Sequence, residues 1–107
     1  MSWYLYSGFS RHMTGEKSMF LTLKIKDGGS VKFGGNQSGK IIGIGTIGNF
    51  SISINNVWLV NGLKHNLLSI SQFIDNGYDV MFDKTNFTVV NKNDNSITFK
   101  GKRIDNV

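Results

Sequence analysis

Few side chains in this chain are equipped for acid–base or nucleophilic work. Tyr6-Ser7-Gly8 closes a short apolar run, Trp3-Tyr4-Leu5, and sets a phenol and a hydroxyl together at a turn. A phenol has a reference pKa of about 10, so at neutral pH it donates a proton rather than accepting one. Taken by itself, Tyr6 is an ordinary strand residue and Ser7-Gly8 an ordinary turn. Cysteine is absent, which removes disulfides, thiolate nucleophiles and thiolate metal sites. The two imidazoles, His12 and His65, have no zinc-like spacing, so neither a metal nor a cofactor is expected. His12 is read as satisfying a loop hydrogen bond and His65 a turn. Gly43 and Gly45 lack the strand-to-helix setting of a dinucleotide loop, which argues against a phosphate cradle.

The elements that would position these residues are mostly strands. Trp3 to Tyr6 reads as a strand and Ser10 to Ser18 as a polar loop. From Phe20 to Ile25, Leu21, Leu23 and Ile25 alternate with Thr22 and Lys24, the period of a strand. Asp27-Gly28-Gly29 is a turn signal. Val31 to Phe33 and Lys40 to Ile47 flank Gly34-Gly35-Asn36-Gln37-Ser38-Gly39, which predicts a hairpin with a glycine-rich, mobile tip. Ser51 to Ile54 and Val57 to Val60 read as two separate strands, and Asn61-Gly62 as a turn. A short helix is predicted near residues 69–76, with Leu67, Ile70 and Ile74 on one face and Asn76-Gly77 as the stop. Tyr78 to Phe82, Phe87 to Asn91 and Ile97 to Phe99 complete the strand set. The fold class is therefore all-β, mostly antiparallel: a small closed or partly open barrel with one short helix, forming a single domain over residues 1–107.

Composition narrows the function classes. The chain has 107 residues, 39% of them hydrophobic, with two Trp, three Tyr and eight Phe, enough for the core of one small domain. Thirteen glycines without a proline suit short strands and tight turns. The formal charge is +5, but Lys24, Lys26, Lys32, Lys40, Lys64, Lys84 and Lys92 are scattered. Only Lys100, Lys102 and Arg103 cluster, without interleaved aromatics that could stack bases, so the charge reads as solvated surface rather than a nucleic-acid patch. No apolar run approaches the roughly 20 residues of a membrane span. No basic stretch leads into an apolar one at the N-terminus, and an intracellular location, cytoplasmic or nuclear, is expected. The Asn-X-Ser/Thr triplets at Asn36, Asn49 and Asn86 are then chance occurrences.

The run Trp3 to Gly15, WYLYSGFSRHMTG, resembles the protease segment of plant copia-type LTR retrotransposon Gag-Pol polyproteins, usually WYLDSGCSRHMTG. KDGGSVKFG, GKIIGIG and LKHNLLSISQ are similar to further copia polyprotein sequence, so the resemblance covers nearly the whole chain. It implies a retropepsin-like aspartic protease domain. The strand into X-Ser-Gly would present the catalytic group, the hairpin tip at Gly34, Gly35, Asn36, Gln37, Ser38 and Gly39 would form a flap over a peptide cleft, and Leu67-Leu68-Ser69 resembles the apolar-apolar-Gly signature beside the catalytic loop, with Ser69 in place of the glycine as is usual in the copia branch. The chain departs from the family pattern at Tyr6, where the aspartate is expected, and at Phe9, where cysteine is usual.

That departure sets the functional expectation. In the family, two protomers each contribute one aspartate, and the paired carboxylates share a proton to activate water. Tyr6 would remove both carboxylates from a homodimer, leaving no intact catalytic residue at Tyr6-Ser7-Gly8. The expected role is a catalytically inactive module that binds a protein or an extended peptide, as a homodimer or as a heterodimer with a related protease subunit. One alternative is a Gag-Pol-processing aspartic endopeptidase inactivated by an Asp-to-Tyr change in this copy. A second is a nucleic-acid-binding fragment, ranked last because the family's zinc knuckle is missing; no membrane partner is expected.

Overall fold

A computed structural model describes residues 3–6, 11–32, 37–48, 53–64 and 66–102, the first of these segments by its backbone. Its strands are β1 (Trp3–Tyr6), β2 (His12–Thr14), β3 (Phe20–Ile25), β4 (Ser30–Lys32), β5 (Ser38–Gly48), β6 (Ser53–Asn61), β7 (Asn66–Ser69), β8 (Tyr78–Phe82), β9 (Asn86–Asn91) and β10 (Ile97–Lys102). One helix, α1 (Ile70–Asp75), joins β7 to β8, and a single 3₁₀ turn at Lys17–Met19 precedes β3.

The strands form two sheets. The larger runs β1-β7-β2-β6-β5-β3, with β4 also paired to β5, and the smaller runs β10-β9-β8. Most pairings are antiparallel; β1 with β7 and β2 with β6 are parallel. The sheets do not close on one another, so the fold is a partly open barrel, mostly β with one short helix.

Side-chain alternation explains how the core divides. Leu67 and Leu68 are successive in β7 and therefore face opposite ways. Leu68 joins Ile47, Ile54, Val57 and Phe73 of the large-sheet unit, which pack against Phe87 and Val89 of the small sheet. Leu67 joins Met13, Ile41, Val60 and Leu63, with Val31 and Trp58 against them. Both faces of β7 are thus covered, and all four of its residues are buried. In β10, Gly101 makes room for the Phe87 ring: a Cβ there would fall 2.5 Å from two ring atoms.

Four sequence expectations need correction. The predicted loop over Ser10 to Ser18 contains β2, all three of whose residues are buried. Three residues are too few for a periodic signal, and the polar pair His12 and Thr14 is buried because its partners, Ser69, Gln72 and Asn66, come from distant parts of the chain. The two strands predicted around Asn55-Asn56 are one continuous strand over the described range, Ser53–Asn61. Asn56 adopts φ +58° within it and the β5–β6 register shifts alongside, so the turn-like asparagines mark an irregularity rather than a break. The last strand extends beyond Phe99 to Lys102, with Lys100, Gly101 and Lys102 all paired to β9. Finally, the helix buries Gln72 and Phe73, whereas Ile74 is 47% exposed and Leu67 lies in β7. Six residues are too few to extend one apolar stripe from 67 to 74.

Candidate functional site

Strand β1 ends beside the β7–α1 junction. The parallel register pairs Tyr4 with Leu67, Leu5 with Leu68 and Tyr6 with Ser69. The structure therefore brings together the strand ending at Tyr6 and the Leu67-Leu68-Ser69 segment. Ser7 and Gly8 lie outside the described residues, as does His65.

Ser69 is fully buried and is the hub of a polar network. Its backbone N–H donates to His12 Nδ1 at 2.9 Å. Its hydroxyl oxygen accepts the Gln72 backbone N–H at 3.1 Å, capping α1, and lies 3.1 Å from Ser71 Oγ. Gln72 then reaches two strands at once. Its Oε1 accepts the His12 backbone N–H at 2.9 Å, and its Nε2 donates to the carbonyls of Asn55 and Asn56 at 3.3 and 3.1 Å. The side chains of Ser69, Gln72 and His12 thus tie β7, α1, β2 and β6 together.

His12 is buried and its ring lies 4.3 Å, centroid to centroid, from Phe73. Burial lowers its pKa from 6.5 to about 4, so the ring is neutral at physiological pH. Because Nδ1 accepts a hydrogen bond, the ring hydrogen sits on Nε2. The role predicted for His12, satisfying a hydrogen bond, holds; its setting is a buried strand rather than a loop.

A second buried pair supports the same region. Thr14 Oγ1 donates to Asn66 Oδ1 at 2.5 Å and accepts the Glu16 backbone N–H at 3.1 Å. Next to it, a Cβ on Gly15 would fall 2.0 Å from the Leu63 carbonyl oxygen, so only glycine lets the chain pass there. Among the described residues no carboxylate side chain takes part in these hydrogen bonds, Glu16 entering only through its backbone N–H; the arrangement fixes backbone geometry.

The hairpin is present as the pairing of β4 with β5: Ser30 with Lys40, Val31 with Gly39 and Lys32 with Ser38. Of its expected tip, Gln37, Ser38 and Gly39 are described, and Gly34, Gly35 and Asn36 lie outside the described residues. In the sheet order, β6, β2 and β7 stand between the hairpin strand β5 and β1, so no strand pairing joins the hairpin to Tyr6 among the described residues. At the hairpin base, a cavity of about 190 Å³ is lined by Ile41, Ile44 and Trp58 with Lys26 at its side. The Arg11 guanidinium lies 5.5 Å from the Trp58 ring centroid.

Residues 3–78 match the family described as Pol polyprotein, beta-barrel domain. The chain belongs to that family. The match runs from the start of β1 to the first residue of β8 and includes the whole larger sheet, α1 and both polar networks. No curated protein and no solved structure matches the chain. The Pol beta-barrel assignment identifies a retroelement Pol-derived domain.

Sequence reasoning did not single out Gln72, Thr14, Asn66 or the Asn55–Asn56 carbonyls. The available signal was polar residues embedded in the apolar runs HMT and NLLSISQF, where burial demands a partner.

Proposed function

We propose that this Pol beta-barrel domain is a catalytically inactive, retropepsin-like domain of copia-retrotransposon origin that binds a protein or extended peptide inside the cell. The observation that carries the reading is the parallel alignment of Tyr6 with Ser69. It sets the position expected for the catalytic aspartate beside the segment expected to buttress the catalytic loop. The mutual hydrogen bonds of Ser69, His12 and Gln72 support reading this segment as that buttress, while position 6 carries a phenol. A tyrosine at neutral pH holds its proton and cannot activate water as a carboxylate does.

Binding would draw on what the scaffold keeps: the hairpin, the groove at its base and, in a dimer, the surface shared with a second protease-like subunit. An extended peptide can pair with a strand edge through its backbone without being cut. The test is capture of peptides from a random extended library by the intact chain, followed by mass measurement of what is eluted. Recovered peptides of unchanged length support a binding module. Recovery of cleaved fragments with new termini would rule out inactivity, and failure to enrich any sequence would rule out the binding role.

A further inference from the structure

A pocket lies where α1 and the larger sheet meet the β8–β10 sheet, with His12 of the Ser69 network in its lining. It measures about 220 Å³. His12 and Phe73, both buried, contribute to its lining, Tyr78 adds a further ring, and the polar groups around it include Asn55, Asn76 and Thr98. The Phe73 and Tyr78 rings stand 6.1 Å apart at 80°, giving an apolar corner. Among the described residues, no ionisable side chain lines it apart from His12 and Tyr78.

The hydrogen-bonding capacity left over at this pocket is specific. His12 Nδ1 is taken by the Ser69 N–H, so the remaining ring donor is Nε2–H. Asn76 spends its Nδ2 on the Gln72 carbonyl at 2.8 Å and keeps Oδ1 as an acceptor. Asn55 spends its Oδ1 on the Thr46 hydroxyl at 3.0 Å and keeps its amide donors. These donors and this acceptor, with hydroxyls such as that of Thr98 also at hand, stand beside an aromatic corner with no fixed charge among the described residues, which suits a small, uncharged, planar group carrying both a carbonyl and an N–H. An anion would be desolvated there without a countercharge.

From this combination we infer that the crevice between α1, β6 and the C-terminal sheet is a binding site for a neutral aromatic amide, of the chemistry shared by carboxamide-bearing heterocycles and nucleobases. The assignment does not rest on the inactivity proposed for position 6. It requires β10, through Thr98, which lies beyond the residues shared with the family.

Nicotinamide is a suitable probe, and benzoate is a control of similar size that carries a charge. Titrating each into the isotope-labelled intact chain should give saturable amide shifts with nicotinamide, centred on Asn55, Asn76 and Thr98. The expected dissociation constant is about 1 mM or tighter, given the few atoms involved. Benzoate should bind at least about tenfold more weakly. Thr98→Phe, which fills the pocket from the outer strand, should abolish the nicotinamide shifts. No saturable shift with nicotinamide up to about 10 mM, a range set by the weakness of such small ligands, would overturn the assignment. So would equal binding of benzoate, or unchanged nicotinamide binding in a folded Thr98→Phe variant. The comparison of the two probes on the unaltered chain needs no substitution and decides the matter even if that variant fails to fold.

Discussion

At the scale of single residues, His12 is the side chain whose chemistry is most altered by the fold. It is held neutral by burial, with a pKa of about 4 against 6.5 when exposed. Between those values the unfolded chain binds a proton that the folded chain does not, so stability rises with pH across that window. Above about pH 6.5 the full contribution is present; as pH falls toward 4 it is lost, amounting to about 3 kcal/mol. Denaturant melts at pH 7 and pH 4.5 should therefore differ, and a folded His12→Gln variant should show a shallower pH dependence. An unchanged slope in that variant would exclude His12 as the source. Gln72 is the second such residue. Gln72→Ala leaves the His12 N–H and two β6 carbonyls without their partner, and should cost about 1–3 kcal/mol by chemical denaturation.

Between residue and element, two local devices decide where strands and helix begin and bend. Ser69 ends β7 and caps α1 through its hydroxyl, a service glycine at the same place could not provide. Ser69→Ala should lower stability by about 1 kcal/mol, the usual worth of an N-cap. Asn56 holds φ +58° inside β6, where its carbonyl and that of Asn55 turn to Gln72. Asn56→Gly should be tolerated, whereas Asn56→Val forces a β-branched residue into the left-handed region and should destabilise by about 1–3 kcal/mol. Thermal melts of the pair distinguish a backbone requirement from a side-chain one.

These devices also explain what could be read from the chain. Phe20–Ile25, Tyr78–Phe82 and the β4–β5 hairpin were legible because apolar alternation or glycine punctuation was local. β2 was not, because three residues give no periodic signal and its partners β6 and β7 lie more than forty residues away in sequence. The continuity of β6 was hidden by Asn55-Asn56, whose turn-like chemistry is used for a bulge. The Leu67-Leu68-Ser69 segment was legible as a motif, but the network around Ser69 was not, since His12 and Gln72 meet it only through tertiary contact.

At the scale of the whole molecule, the boundary of the shared sequence is not the boundary of the fold. The family match ends at Tyr78, yet Phe87 and Val89 complete the core formed by Ile47, Ile54, Val57, Leu68 and Phe73. A chain truncated after Tyr78 would expose that apolar face and should lose its cooperative unfolding transition, which calorimetry would reveal. Retention of a sharp transition would show that the smaller sheet is an accessory.

On the proposed function, the scaffold would have outlasted its chemistry, with the hydrogen-bonded framework beside position 6 retained and the acid lost. The most direct test of this is peptide cleavage at mildly acidic pH by the unaltered chain and by Tyr6→Asp, with a statine-type inhibitor as control. The account expects no inhibitor-sensitive turnover from the unaltered chain and a gain of at least about 100-fold on restoring the carboxylate. Statine-sensitive cleavage by the chain with its tyrosine in place would contradict it.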